Sequence, residues 1–92
     1  MILKTASGQI VPMIHLNGTS RLALLEEYRA ADQAIREAIS CVQAITVNGR
    51  DFHLQDLQAF NLAKAQHESR VVDLYIMLNQ IDEIWNAINE QV

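Results

Sequence analysis

The stretch LAKAQHESRVVDLYIMLNQIDEIWNAINEQV, residues 62–92, contains neither glycine nor proline, and its apolar residues return at helical spacing. Followed upstream, Leu57, Phe60, Lys64, His67, Val71, Leu74, Leu78, Ile81, Trp85, Ile88 and Val92 are separated by steps of three or four. Such a heptad-like seam belongs to a helix wound gently left-handed against a partner helix. The spacing predicts a helix over residues 55–91, starting near Leu54–Leu57.

The centre of this stretch carries a second message. Val71-Val72-Asp73-Leu74-Tyr75-Ile76-Met77-Leu78 is apolar almost all round. At about 100° per residue, Val72 and Ile76 point well away from the Leu74/Leu78 seam. One neighbouring helix cannot cover both sides, so a second contact surface is expected, and a homo-oligomer supplies it most economically. The interface residues expected on this basis are Val72, Tyr75, Ile76, Ile84, Trp85 and Ile88.

The partner helix lies upstream, over residues 19–47. Thr19 or Ser20 can cap its start, with Gly18 as a flexible entry. Leu24, Tyr28, Ala31, Ile35, Ala38, Val42 and Ile45 form its apolar stripe. Arg29 and Arg36 fall off the stripe, toward solvent or a partner. β-Branched residues and Asn48-Gly49 then signal its end. At 1.5 Å per residue the two helices span roughly 40 and roughly 55 Å. Folded back antiparallel, the first would run out near residue 80. Ile81, Ile84, Trp85 and Ile88 would then need cover from the N-terminal arm or from another chain.

Residues 1–18 read as extended structure around an Ala-Ser-Gly turn at 6–8, either a β-hairpin or an irregular arm. Pro12 is compatible with a strand edge or bend and not with a helix. The expected fold is therefore mainly α: a long antiparallel helical hairpin behind a short extended or β-hairpin arm, within an oligomer. The 92 residues make a single domain, of a size at which oligomerisation often helps stability.

Composition narrows the function classes. Seven basic against eleven acidic residues argue against a general nucleic-acid binder, which carries a basic footprint. Residues 71–92 hold Asp73, Asp82, Glu83 and Glu90 with no Lys or Arg, whereas the first helix carries Arg21, Arg29 and Arg36. Cys41 is the only cysteine, which precludes an internal disulfide and a four-cysteine zinc site. Among Ile39, Val42 and Ile45 it reads as a buried small hydrophobe. Neither a signal peptide nor a membrane span is recognisable, so the cytoplasm is the expected location.

No catalytic motif stands out, and the expected protein is not an enzyme. His15, His53 and His67 lack metal-protease spacing, and no metal or cofactor is expected. Lys64 and His67 read as a polar layer that fixes register in the seam, or as the lining of a pocket. Thr19 and Ser20 near His15 are explained by helix capping. Asp51 and Asp56 could pair as carboxylates, although Asp56 equally suits the first turn of the second helix.

Two polar loops carry what ligand chemistry there is. The first, His15-Leu16-Asn17-Gly18-Thr19-Ser20-Arg21, sets hydroxyls and a guanidinium at a helix N-terminus, where free N–H groups suit a phosphate or carboxylate. The second is Asn48-Gly49-Arg50-Asp51-Phe52-His53; there Phe52 can stack on a base while Arg50 holds a phosphate. The bland alternative for both is punctuation, since Asn-Gly makes turns and charges solvate them. The candidate ligand residues are His15, Asn17, Thr19, Ser20, Arg21, Asn48, Arg50, Asp51, Phe52 and His53. Because the loops lie at opposite ends of the hairpin, any site using both must be formed between subunits.

Val11-Pro12-Met13-Ile14-His15-Leu16-Asn17-Gly18-Thr19-Ser20 resembles the opening of a family of small proteins encoded by bacteriophages and prophages. In that family a PxIHLNGT-type arm leads into a helix, an NGRD-aromatic loop follows, and a long helix ends the chain. Asn48–His53 is similar to the second element, with Phe-His where two tyrosines are common. The resemblance covers nearly the whole chain. The resemblance implies a phage context without a biochemical role. Small phage proteins of this build often act against host defence by stoichiometric binding, and the polar loops and oligomer-prone surface favour one form of it. The leading form is a sponge that holds a nucleotide immune signal between subunits. The alternatives are a protein-binding inhibitor, in the manner of anti-CRISPR proteins, using the acidic C-terminal helix, and a phage structural or assembly factor.

Overall fold

The structure is a computed structural model that describes residues 1–91. Val92, the last position of the expected seam, lies outside the described residues. The chain is mainly helical and extended, measuring 61 × 24 × 17 Å. Helix α1 spans Arg21–Gln43 and α2 spans Ala59–Asn89, with a short 3₁₀ turn at Gly49–Asp51 between them. No strand forms among the described residues; a single antiparallel bridge joins Lys4 to Ile10. None of the described helices is long and apolar enough to cross a membrane.

Both helices are shorter than their periodicity suggests, for local reasons. Ser20 is extended and its hydroxyl accepts from the Ala23 N–H at 3.1 Å, so it is the residue that caps α1. At the other end Ile45, Thr46 and Val47 leave the helix, as β-branched residues do readily where packing does not hold them. Asn48 is extended, and its side-chain oxygen accepts from Arg50 N and Asp51 N at 3.0 and 3.3 Å. Asp56 performs a similar task ahead of α2, accepting from Gln58 N at 2.8 Å. The helix proper begins only at Ala59.

The helices run antiparallel, and their register differs from the expected one. Arg21 at the start of α1 donates to the Asn89 carbonyl at the end of α2, at 2.6 Å. The Trp85 indole donates to the Leu25 carbonyl at 3.2 Å, Ile39 and Leu78 line one cleft, and Gln43 lines another with His67 and Val71. The overhang of α2 is therefore at its N-terminal end, beyond Gln43, and not past residue 80. A 15-residue connection, residues 44–58, reaches back over that overhang. Through it, the Phe52 ring comes to 6.4 Å from Phe60.

Burial follows this register. Val11, Leu25 and Ile88 form one buried cluster, with Leu3, Ile14, Leu24, Tyr28, Ile84, Trp85 and Ala87 packed around it. Ile39 and Leu78 are buried farther along the helix pair. No residue from 40 to 77 is buried. The expected stripe on α1 holds from Leu24 to Val42, all six of its members being half-buried; Leu25 and Ile39 beside it are the most covered residues of the helix, and Ile45 is exposed. Leu25 is covered because it packs against Val11 of the N-terminal segment as well as Ile88 of α2.

Several side chains need reassignment. Cys41 is exposed, because at about 100° per residue it lies on the far side of α1 from Ile39. Lys64 is also exposed, since α1 has ended before reaching it; of the expected polar layer only His67 is half-buried. Ile88, expected between chains, is 0% exposed within one chain and has no surface left for a partner. Ile84 and Trp85 are largely covered by the same cluster. By contrast, Val72, Tyr75 and Ile76 are exposed.

Residues 1–20 are tied to the end of α2 by polar contacts. Val11 N donates to the Leu3 carbonyl at 2.9 Å, closing a turn in which Gly8 takes φ +89°, a conformation open to glycine. The Thr5 hydroxyl donates to Glu83 Oε2 at 2.8 Å, and the Ser7 hydroxyl donates to the same oxygen. Gln91 clamps the strand-like stretch that follows: its Oε1 accepts from Ile14 N at 2.9 Å and its Nε2 donates to the Pro12 carbonyl at 2.8 Å.

Candidate functional site

The first polar loop spends its chemistry inside the chain. Arg21 Nη2 donates to the Asn89 carbonyl and, at 2.9 Å, to Asn89 Oδ1. A cation there complements the negative end of the α2 dipole and meets carbonyls that have no helical partner. Arg21 therefore faces the end of α2 and not an anion at the start of α1. The Ser20 hydroxyl is committed to the cap. His15 lies over Gly18: a Cβ at that glycine would sit 2.7 Å from His15 Nε2, so the close approach depends on the missing side chain. Asn17 and Thr19 are exposed beside them.

The second loop is also self-supported, but it leaves an open cleft. Asn48 caps the 3₁₀ turn, and His53 Nδ1 donates to the Arg50 carbonyl at 2.6 Å. That bond assigns the proton to Nδ1 and leaves Nε2 as an acceptor when the ring is neutral. Phe52 is half-buried against Phe60, the two rings inclined at 43°. Gly49, Phe52, His53, Gln55, Asp56, Leu57 and Phe60 line a cleft of about 190 Å³. Two aromatic rings, an imidazole and a carboxylate thus converge on one small volume.

Arg50 and Asp51 are not part of that lining; both are exposed on the rim of the loop. The cleft can accept a planar apolar or aromatic group, with hydrogen bonds to His53, Gln55 or Asp56. It has no cation of its own for a phosphate, and Arg50 is the basic side chain of this loop. Of the ten expected ligand residues, the structure brings Phe52 and His53 together at the cleft. It gives Ser20, Arg21 and Asn48 internal partners. It sets the loop of His15, Asn17 and Thr19 at the opposite end of the helix pair.

Two other arginines have partners on the helix faces. Arg36 bonds Asp32 at 2.6 Å and reaches Asp82 on α2 at 3.4 Å. The Arg29 guanidinium stands 5.4 Å from the centre of the Trp85 ring. Together with Asp82 and Asp32 these residues form a charged strip across the two helices. Among the described residues, no group of three or more His, Cys, Asp and Glu side chains is placed to hold a metal ion.

Sequence reasoning missed two things. One is the clamp of Glu83 and Gln91 on residues 5–14, which carries no local signature because the partners are more than seventy positions apart. The other is the exposure of Leu54 and Leu57, at 89% and 95%. Leu57 was expected at the head of the α2 seam and is exposed because the helix begins only at Ala59; Leu54 lies in the polar connection, outside the seam. No family model, curated protein or solved structure matches this chain.

Proposed function

We propose that this chain is a non-enzymatic binding protein that acts as an assembly of copies and sequesters a nucleotide-type ligand where chains meet. The observation that carries this reading is the contrast between its two ends. One end holds the buried Val11–Leu25–Ile88 cluster, although Ile10, Met13, Leu16 and Leu22 stay exposed around it. The loop end has no buried residue between 40 and 77 and exposes Leu54, Leu57, Val72 and Ile76. Apolar surface of this kind on a small protein marks a place of contact.

The ligand is assigned to the second loop alone. Phe52 and Phe60 offer a surface for a base, His53 and Asp56 offer hydrogen bonds to its edge, and Arg50 stands ready for a phosphate. The open cleft is completed by a neighbouring chain. Binding is at equilibrium, without turnover, and the ligand is released intact. The resemblance to small phage and prophage proteins supports placing this activity in counter-defence, in the cytoplasm of an infected bacterium, as a sponge for an immune signal.

The test is a melting-temperature panel of cyclic di- and trinucleotides and ADP-ribose derivatives, with Phe52→Ala and Arg50→Ala alongside. One class should raise the wild-type transition, have no effect on either variant, and be recovered unchanged after heating. A flat panel for wild type would sink the nucleotide reading. The exposure of Leu54 and Leu57 then favours a protein-binding inhibitor, in the manner of anti-CRISPR proteins, or a phage assembly factor.

A further inference from the structure

Helix α2 carries a second seam on the side turned away from α1. Leu62, Ala65, Ser69, Val72, Ile76 and Asn79 follow one another at steps of three and four, and all six are exposed. The next position in this series, Glu83, is already covered: it holds the Thr5 and Ser7 hydroxyls of the N-terminal turn. The free seam therefore runs for 18 residues, roughly 27 Å, and stops where that turn begins.

We infer that this seam binds a second copy of the chain, antiparallel, about a two-fold axis lying between Ser69 and Val72. This rests on the proposal that copies assemble, and adds which face and which direction. Side-chain size argues for the direction. In the antiparallel register Ser69 faces Val72, Ala65 faces Ile76 and Leu62 faces Asn79, each pair twice by symmetry, so a small side chain meets a larger one at the four central layers. A parallel pair would place Ala65 on Ala65 and Ser69 on Ser69, leaving voids between bulky layers.

Charge argues the same way. Lys64, Glu68 and Arg70 lie in the first part of α2, whereas Asp73, Asp82, Glu83 and Glu90 lie after them, with no Lys or Arg beyond Arg70. Antiparallel packing about this axis brings Arg70 of each copy near Asp73 of the other. Parallel packing would bring two acidic ends together. The helix dipoles also oppose one another in the antiparallel arrangement. A two-fold pair of this kind buries the same patch on both copies.

The arrangement has a consequence for the ligand cleft. It carries the inter-helix connection of each copy, with Leu54 and Leu57, toward the N-terminal turn of the other. The two polar loops, held at opposite ends within one chain, are thereby drawn together across the dimer.

The experiment uses the full chain in a Cys41→Ser background. Light scattering at micromolar concentration should give twice the chain mass for the parent and the single-chain mass for Ile76→Glu. Ile76 is 50% exposed in one chain, so circular dichroism should show its helicity unchanged. Under mild oxidation, Ser69→Cys mixed with Val72→Cys should cross-link as a heterodimer more efficiently than either variant alone. A monomeric parent, a dimeric I76E, or efficient cross-linking of S69C with itself would each overturn the proposal. A dimer with these properties but a flat nucleotide panel supports this assembly and removes the ligand alone.

Discussion

Trp85 donates its indole N–H to the Leu25 carbonyl at 3.2 Å, fastening the last turns of α2 to the first turns of α1. Trp85 also packs on the Val11–Leu25–Ile88 cluster and lies under Arg29. Trp85→Ala should cost about 3 kcal/mol, through lost burial and a cavity, whereas Trp85→Phe should cost about 1 kcal/mol. Urea unfolding followed by circular dichroism checks both. A W85A midpoint equal to wild type would show that the cluster does not hold this end.

Acid should loosen the N-terminal segment before it unfolds the helices. Hydrogen bonds from Ser7 and then Thr5 hold the Glu83 carboxyl below its ordinary value of 4.5. A group depressed in the folded state contributes its stability above the unfolded pKa, and loses it as pH falls through the folded pKa. Attachment of residues 5–11 should thus be pH-independent near neutrality and weaken below the ordinary value. Hydrogen exchange on these residues should quicken on acidification, after correction for intrinsic rates. In Glu83→Ala the segment should exchange quickly at every pH.

The glycines should differ in what they tolerate. Gly8 sits at φ +89°, so Gly8→Ala is expected to cost about 1 kcal/mol. Gly49 has no such angle and nothing within 4 Å of a built Cβ. Gly49→Ala should be neutral or stabilise by up to about 1 kcal/mol, through the unfolded chain. Parallel thermal melts decide this; a large loss in G49A would mean that the Asn-Gly pair needs its glycine after all.

Cys41 should react in the folded protein. Its exposure predicts rapid modification by a thiol reagent without denaturant, and Cys41→Ser should alter stability by less than about 0.5 kcal/mol. Protection of the thiol until unfolding would place it in a core that this structure does not have.

Much of the helix pattern was legible in the sequence, because a steady three-and-four spacing with no glycine or proline admits few other forms. Leu78 and Ile88, both in the expected seam of α2, are buried. Register was not legible. It depends on how long the connection is, and Ile45–Val47 and Gln55–Gln58 could have been read as helix by propensity. Once α1 ends at Gln43, the connection lengthens and the pairing slides, which moves the overhang to the opposite end. The polar loops were visible as loops, yet the duties of Arg21 and Ser20 were hidden. An arginine at a helix start looks the same in sequence whether it waits for a phosphate or closes the end of another helix.

The uneven distribution of buried residues sets how the molecule breathes. The Val11–Leu25–Ile88 cluster holds one end of the helix pair and the buried Ile39 and Leu78 hold it farther along, so only the start of α2, beyond the end of α1, and the connection to it lack a buried anchor. Amide protection should be lowest in the connection and the first turns of α2, as it is where local opening precedes global unfolding. The overhanging turns of α2 and the connection can shift together without parting the helices, which lets the Phe52–Phe60 cleft adjust its width to whatever it encloses.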